Sequence, residues 1–489
     1  MKMPRRLLCA FAAYCSITSF AQQPPTRLNP LISKVVDEVS EERIAAIMKK
    51  LESFGTRYVL SEKDNPTHGI GGAQHWIYDQ FKSYSPRLQV SYDPFTIKKS
   101  QRIPQDTDLA NVVAVLPGTI NKDRYVIIGG HYDSIASRRS PGGQAAQPND
   151  EGPRSAAETD PSAPGVADDA SGTAAVMELA RVMSQYEFDK SIVFIAFAAE
   201  EIGLNGSANY AKKAKEANMQ IEAVLNNDII GSDISGDGRS ANNHVRVFSE
   251  GPEDSPSRAV ARYVKEIAER YIPSMTVDLV FRRDRFGRGG DHTSFVREGY
   301  AAVRLTTPSE NYANQHSATD TFANASPSYT TRVTKINGAV LASLALAPKP
   351  PMVSRPRPSQ PPAGSTAAAA TPPAAGGRAG GGRGMQMLGR GKGYDAALRW
   401  LAPDPEADLA GYAIVIRNTT SALWEREIYV GNVTEFTLPG LSIDDVVIGV
   451  KAIDKDGNAS LVSAYDQAPL NLQQQQQQRP ANAPGGNER

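Results

Sequence analysis

The alternation of short β-branched runs with helical segments between residues 28 and 347 restricts the fold of this chain more than any other feature. The strand-like runs read NVVAVLPG, RYVIIGG, SIVFIAF, IEAVLNND and AAVRLTT, and helical segments such as SGTAAVMELARVMSQY separate them. Strands that alternate with helices are typical of a largely parallel sheet with helices on both faces. We therefore predict an α/β fold for this part of the chain, with a mostly parallel sheet flanked by helices.

The chain has 489 residues, too many for one ordinary core, and its composition changes along its length. Residues 349–393 are rich in proline, alanine and glycine and predict a linker. Residues 394–470 contain, in order, Trp400, AGYAIVIR, TEFTLPGL and VIGVKAIDKDGNAS, which predict a small β-sandwich that resembles a fibronectin type III domain. Such a domain is a passive spacer, a unit packed on the rest of the chain, or an adhesion module for a polymer or cell-surface partner. Residues 471–489 form a low-complexity tail.

The N-terminal sequence MKMPRRLLCAFAAYCSITSFAQQ has the features of a secretory signal. A basic start precedes an apolar stretch too short to span a bilayer, and the small-x-small sequence that ends at Ala21 is typical of a cleavage site. We expect residues 1–21 to be removed and the protein to be exported to the periplasm or the extracellular space. Cleavage would remove both cysteines, Cys9 and Cys15, so the mature chain would form no disulfide.

Charge and hydropathy give no indication of nucleic acid or of a membrane as the partner. The 53 lysines and arginines balance 53 aspartates and glutamates, so there is no excess of positive charge to attract polyanions. After the N-terminal segment no apolar run approaches membrane-spanning length, and we predict no membrane span. The candidates for function are therefore the polar residues that follow the predicted strands.

Two adjacent glutamates, Glu200 and Glu201, follow the apolar run SIVFIAF in the sequence FAAEEIGLNGS. Like charges side by side repel, and both lose hydration in an enclosed site. The pair therefore needs a cation, a proton or open water nearby. Open water would make this segment the start of an ordinary loop, whereas a cation would make it a binding site.

Two further acidic motifs lie near predicted strand or helix ends. In GGHYDS, His131 and Asp133 are two residues apart, so both side chains can lie on one face, where the carboxylate can orient a metal-bound imidazole. In GVADDASG, Asp168 and Asp169 come just before a predicted helix. One carboxylate is enough to cap that helix, so the second favours a metal ligand.

The last two candidates are Asp228, which ends the strand-like run IEAVLNND, and His316, in NQHSATDT after the run AAVRLTT. Ligands of open α/β sheets bind beyond the carboxyl ends of the strands, where residues distant in sequence meet. The resulting set of imidazole and carboxylate donors suits zinc: His131, Asp168, Glu201, Asp228 and His316. These five ligands exceed the need of one tetrahedral ion, but they suit two ions that share a bridging carboxylate.

The ordered motifs GGHYDS, GVADDASG, FAAEEIGLNGS, LNNDIIGSD and NQHSATDT resemble those of the co-catalytic zinc aminopeptidases of metallopeptidase family 28. The resemblance covers roughly residues 28–347 and implies a zinc peptidase domain in residues 22–348. It implies two Zn²⁺ ions that share Asp168, with the other four ligands divided between them: His131 and Asp228 for one ion, Glu201 and His316 for the other.

The resemblance also implies the reaction. A water that bridges the two zinc ions would hydrolyse the N-terminal bond of a peptide substrate, with Glu200 as the general base and Asp133 as the carboxylate partner of His131. Alternatives are a carboxypeptidase or dipeptidase on the same two-zinc site, or a single-zinc acyltransferase similar to glutaminyl cyclases. The two acids of GVADDASG, together with His131, favour hydrolysis. A binding protein without catalysis would not need Glu200.

Three features leave alternatives open. The family often has a tyrosine before the last zinc histidine, but this chain has Gln315; Gln315 or Tyr312 replaces that tyrosine, or its contribution is missing. The arginines of FRRDRFGRGGDHTSF predict a solvated basic loop, or a receptor for a substrate carboxylate. The polar segment 134–164, which begins at the expected edge of the site, predicts a lid or a disordered loop.

Overall fold

A computed structural model describes residues 28–136, 162–353, 387–391, 393–402 and 406–465. The predicted signal segment, most of the predicted linker and the low-complexity tail lie outside these residues. Most of segment 134–164 also lies outside them, so the choice between a lid and a disordered loop stays open.

A mixed sheet organises the larger part of the described chain. Within the described residues it has eight strands: β1 (Gln89–Ile97), β2 (Thr107–Leu116), β3 (Asn121–His131), β4 (Lys190–Phe197), β5 (Gln220–Asn227), β6 (His244–Ser249), β7 (Thr276–Val280) and β8 (Ala302–Thr306). Their order across the sheet is β1-β2-β4-β3-β5-β8-β6-β7. Strand β3 is parallel to β4 and β5, β5 to β8, and β6 to β7, whereas the other neighbours are antiparallel. The predicted α/β class is confirmed.

Helices cover both faces of this sheet, as predicted. They are α1 (Pro30–Asp37), α2 (Glu41–Glu52), α3 (Gly69–Tyr84), α4 (Ser171–Met183), α5 (Asn205–Glu216), α6 (Pro256–Tyr271), α7 (His292–Arg297) and α8 (Pro327–Leu346). Along β4, Phe194 packs into the larger core with α1–α4, α6 and α8, whereas Val193 and Ile195 pack into a smaller core with α5 and α7. Burial on both faces explains why this strand reads as a continuous apolar run. No helix in the described ranges combines the length and the apolar character that crossing a membrane requires.

Two small antiparallel sheets form the C-terminal part of the described chain, as the predicted all-β class requires. In the described residues one sheet has three strands and the other has four: β9 (Leu388–Arg390), β10 (Ala396–Arg399) and β13 (Glu435–Leu438) in the first; β11 (Leu409–Asn418), β12 (Arg426–Gly431), β14 (Val446–Asp454) and β15 (Ser463–Ala464) in the second. Their inner faces share one core, in which the rings of Trp400 and Tyr412 lie 5.5 Å apart.

These C-terminal sheets contact α6 and the turn before it. Arg417 of β11 donates a hydrogen bond of 2.7 Å to the carboxylate of Asp254, which also pairs with Arg262 of α6 at 3.0 Å. The hydroxyl of Tyr263 donates to the carbonyl oxygen of Ala459 at 3.0 Å. Charged and polar groups that are largely buried therefore join the two parts of the chain.

Candidate metal centre

The candidate centre lies at the carboxyl ends of β4, β3, β5 and β8, which are neighbours in the middle of the sheet. Because these strands are parallel, their carboxyl ends share one edge. His131 is the last residue of β3, Asp228 follows β5 directly, and Glu200 and Glu201 stand on the turn after β4. The loop after β8 supplies His316. The sheet topology thus brings the predicted residues together, although they are far apart in sequence.

Asp168 occupies the middle of this group. Its Oδ1 atom lies 3.2 Å from Nε2 of His131, and its Oδ2 atom lies 3.2 Å from Nε2 of His316. One carboxylate thus faces two imidazoles with different oxygens, which is the arrangement that a ligand shared by two ions needs.

The candidate donor atoms form three compact groups, of which two share Asp168 and the third consists of His131, Glu200 and Glu201. In each group the atoms lie within 4.8 Å of one another: His131, Asp168 and Asp228 in the first, Asp168, Glu201 and His316 in the second. Oε2 of Glu201 lies 3.1 Å from Nε2 of His316. Oε1 of Glu201 is buried and has no hydrogen-bond partner among the described residues. A buried carboxylate oxygen without a partner is costly, and a cation would satisfy it, so the residues present fit a metal site.

The main chain orients His131 toward this group. Its Nδ1 atom lies 3.1 Å from the carbonyl oxygen of Asp133, which can only accept a hydrogen bond, so Nδ1 carries a proton and Nε2 is the nitrogen that would bind a metal. The carboxylate of Asp133 is farther away, 3.6 Å from Nδ1. That carboxylate accepts hydrogen bonds from the backbone N–H groups of Glu200 and Glu201, at 3.1 and 3.2 Å. Asp133 therefore holds the turn with the two glutamates as well as the histidine.

The second acid of the Asp-Asp pair has a separate role. Oδ1 of Asp169 accepts hydrogen bonds from the backbone N–H groups of Gly172, in the first turn of α4, and Ile229, at 3.0 and 3.1 Å. Its Oδ2 atom accepts from the N–H group of His131 at 3.1 Å. Asp169 thus ties together three segments that carry candidate ligands, and Asp168 remains free to face the histidines.

Unusual backbone conformations adjoin the candidate residues. Ala199, Ile229 and His316 have φ angles of 61°, 63° and 51°. Residues with a Cβ atom rarely adopt this left-handed region, and a β-branched residue such as Ile229 is a clear outlier there. Such conformations cluster at functional sites because the surrounding structure must compensate for the strain.

Two buried residues that the sequence analysis did not assign hold the turn that carries Asp168. The carboxylate of Asp320 accepts hydrogen bonds from the N–H groups of Ala167 and Asp168, at 2.8 and 3.0 Å. The guanidinium of Arg57 donates to the carbonyl oxygens of Tyr132 and Gly165, at 2.6 and 2.8 Å. Asp320 lies four residues after His316, within the motif NQHSATDT. Its position beside a candidate ligand could therefore have indicated a role at the site.

Arg304, also unassigned from the sequence, supports Asp228 from inside β8. It is fully buried and donates to Oδ1 of Asp228 at 2.9 Å, while its other terminal nitrogen binds the carboxylate of Asp284 at 2.9 and 3.0 Å. An arginine within the apolar run AAVRLTT was itself a signal, because a buried charge requires partners. Nearby, both carboxylate oxygens of the buried Asp291 have no hydrogen-bond partner among the described residues.

The electrostatic field of the centre favours cations. Burial lowers the pKa of His131, but the carboxylates of Asp133 and Asp168 outweigh it and hold that pKa well above its ordinary value. Burial raises the pKa of Asp168, but His131 and His316 outweigh it and hold that pKa well below its ordinary value. The negative field that retains protons on the imidazoles would equally retain a divalent ion, which binds as those protons leave.

The chain matches the sequence profile described as "Peptidase family M28" over residues 111–341. A probable zinc metalloprotease of Leptosphaeria maculans is 32% identical over 453 residues, which cover 86% of this chain and 94% of that protein. A probable zinc metalloprotease of Pyricularia oryzae is 34% identical over 465 residues, 88% of this chain and 83% of that protein. The crystal structure of LapB from Legionella pneumophila resembles this fold with a TM-score of 0.50 at 18% identity, over 67% of this chain and 78% of that chain.

These relatives and the donor set define a metallopeptidase, that is, a hydrolase of peptide bonds. The chain belongs to peptidase family M28. The relatives are described as zinc metalloproteases, and the imidazole and carboxylate donors of the centre suit zinc.

Proposed function

We propose that the protein is an exported aminopeptidase that uses two zinc ions to remove N-terminal residues from peptides. The observation that carries this proposal is the position of Asp168, whose two oxygens each lie 3.2 Å from a different histidine. The remaining donors divide into two sets, His131 with Asp228 and Glu201 with His316. Two sets of donors around one shared carboxylate are what two neighbouring ions require.

Zinc bound at this centre would polarise the scissile carbonyl and lower the pKa of a bound water. The chain supplies the proton acceptor. Burial raises the pKa of Glu200 well above its ordinary value; His131 opposes this shift, and the carboxylates of Asp228 and Glu201 reinforce it. A carboxylate with a raised pKa is a stronger base, so Glu200 can take a proton and pass it to the leaving amine.

The position of Glu200 relative to the donors depends on Asp133. Its carboxylate accepts the backbone N–H groups of both Glu200 and Glu201, so the proposed base and the proposed ligand stand on one fixed turn. In the described part of the chain the side chain of Glu200 forms no hydrogen bond. It is therefore available to a substrate amine or a water.

Export is part of the proposal because of the N-terminal segment, residues 1–21, with its basic start and short apolar stretch. N-terminal sequencing of the protein recovered outside the cytoplasm tests it. A mature chain that begins at residue 22 would support export, and an intact N-terminus on a protein retained in the cytoplasm would contradict it.

The proposed activity is tested by the metal content of the purified mature protein together with hydrolysis of aminoacyl-anilides, with and without a chelator. Two zinc ions per chain and chelator-sensitive release of N-terminal residues would support the aminopeptidase. Release of C-terminal residues, or cleavage of dipeptides alone, would indicate a carboxypeptidase or dipeptidase. One zinc ion with cyclisation of N-terminal glutamine would indicate the acyltransferase, and absence of metal would refute all three.

A further inference from the structure

Three arginines surround the buried carboxylate of Glu310, beside the candidate metal centre. Oε1 of Glu310 accepts a hydrogen bond of 2.6 Å from Arg246, and Oε2 accepts one of 2.6 Å from Arg285. A third arginine, Arg288, approaches the same Oε2 atom only to 3.8 Å, which is too long for a hydrogen bond. Arg246 and Arg285 therefore supply hydrogen bonds to both oxygens of Glu310, and Arg288 adds only a longer ion pair, which leaves its N–H groups available.

The backbone near Arg288 contacts one donor group of the centre. A Cβ atom built on Gly290 would lie 2.9 Å from Oδ2 of Asp228, so the chain two residues after Arg288 passes directly against this candidate ligand. The carbonyl oxygen of Gly289 accepts a hydrogen bond of 3.3 Å from Arg304, the residue that also holds Asp228. The loop that carries Arg288 is thus fixed to the side of the centre formed by Asp228.

Through Glu310, Arg288 is also linked to the segment that carries His316, a member of the other donor group. Its neighbour Glu310 also lies 3.5 Å from the amide nitrogen of Gln315, the residue before His316. Burial lowers the pKa of Arg288, but the carboxylates of Asp168, Glu310, Asp228 and Glu201 outweigh it and raise that pKa above its ordinary value. The positive charge of Arg288 therefore interacts with candidate ligands of both donor groups that share Asp168.

The other arginines of the loop contact other side chains. Arg283 pairs with Glu250 at 2.8 Å, Arg282 stacks on the ring of Phe286 at 4.2 Å, and Arg285 binds Glu310. The side chain of Arg288 is 32% exposed, so a ligand in the centre can reach it. Within the described residues, Arg288 alone among these four combines partial exposure, a guanidinium without a hydrogen bond and proximity to the metal donors.

We propose that Arg288 binds a carboxylate of the substrate and so selects peptides that carry a negative charge next to the scissile bond. This inference rests on the proposed peptidase function and adds its substrate class. The carboxylate has two possible sources: the C-terminus of a dipeptide, or the acidic side chain of an N-terminal residue. An arginine can donate two parallel hydrogen bonds to either one.

The test compares two substrate pairs that differ only in the charge concerned. Ala-Ala against Ala-Ala-amide reports on the C-terminal carboxylate, and the anilides of glutamate against glutamine report on the side chain. We expect the wild type to prefer the charged member of one pair by about 10- to 100-fold in kcat/KM, the range for hydrogen bonds to a charged group. The pair that shows the preference identifies the source.

Variants assign that preference to Arg288. Arg288→Gln should abolish the ratio, and Arg288→Lys, which keeps the charge without the planar fork, should restore part of it. Arg282→Gln, on the same loop and exposed, is the matched control and should keep the wild-type ratio. Equal kcat/KM for both members of both pairs in the wild type, or an Arg288→Gln ratio equal to that of the wild type, would overturn the proposal.

Binding measurements separate this inference from the proposed function. Calorimetry with reduced-amide analogues of the four compounds, which cannot be hydrolysed, gives dissociation constants for the zinc-loaded protein. If the wild type hydrolyses none of the four substrates and no other aminoacyl-anilide, the proposed function fails. Tighter binding of a charged analogue that disappears in Arg288→Gln would then still support the carboxylate site, and equal binding of charged and neutral analogues would refute it.

Discussion

Replacing Glu200 with glutamine should separate proton transfer from metal binding, because the two adjacent glutamates have different surroundings. The side chain of Glu200 forms no hydrogen bond among the described residues, so an isosteric amide breaks no contact there. Glu201, by contrast, lies 3.1 Å from Nε2 of His316 and forms a compact donor group with His316 and Asp168. We therefore expect Glu200→Gln to bind zinc normally and to lose turnover, and Glu201→Gln to lose zinc.

The size of the loss follows from the role proposed for Glu200. A positioned general base contributes about 10²- to 10⁴-fold, so kcat should fall by that factor, equivalent to about 3–5 kcal/mol of transition-state stabilisation. The free energy of unfolding should not decrease, because the substitution neutralises a charge that burial and nearby carboxylates already disfavour. Metal analysis, anilide hydrolysis and thermal unfolding of both variants provide the assay. Wild-type turnover with full zinc content in Glu200→Gln would refute the reasoning.

Three further substitutions test residues around the centre and at the contact between the two parts. Asp320→Asn should weaken zinc binding by about 10- to 100-fold, measured by competition with a chelator, because its amide cannot accept both N–H groups that orient Asp168. Asp189→Asn should raise the melting temperature at pH 8 and have little effect near pH 4. Asp254→Asn should cost about 3–5 kcal/mol in urea unfolding, because it removes the buried partner of Arg417.

The expected increase in melting temperature of Asp189→Asn at pH 8 depends on the pKa of the Asp189 carboxyl group. Burial and the nearby Asp408 raise that pKa from 3.8 to about 6, opposed in part by Lys190. A raised carboxyl pKa favours the neutral form in the folded state, so stability is highest below pH 4 and decreases as the pH rises through 6. Equal melting temperatures for Asp189→Asn and wild type at pH 8 would contradict this.

Matched controls exist for the other two substitutions. Glu253 pairs with the same arginines as Asp254 but is 54% exposed, so Glu253→Gln should cost less than about 1 kcal/mol. An equal cost for both substitutions would show that burial does not control this contact. Thr319→Ala changes the loop of Asp320 without touching the turn of Asp168. Unaltered zinc affinity in Asp320→Asn would remove Asp320 from any role in positioning Asp168.

The general position of the candidate site could be predicted because it depends on a local pattern. Each of β3, β4, β5 and β8 is an apolar run that the sequence shows directly, and a polar group follows each run. Parallel strands in the middle of a sheet place those groups at one edge, so the placement of His131, Glu201 and Asp228 required no long-range information beyond the fold class.

The supporting residues could not be assigned in the same way, because their partners are distant in sequence. Asp320 accepts hydrogen bonds from Ala167 and Asp168, and Arg304 holds Asp228; neither contact follows from periodicity. Strands β1, β6 and β7 were also missed. In β1 most side chains are exposed, so the apolar pattern that marks a strand is weak.

The arrangement of the sheet has an evolutionary consequence. Four of the five candidate ligands, all except Asp168, follow strands with neighbours on both sides, whereas β1 and β7 lie at the edges. Mutations at the edges can therefore accumulate without displacing a donor atom. Arg288 stands on a loop that borders the ligands but supplies none of them, so under the proposal above a substitution of Arg288 would change substrate preference and leave the donor set intact.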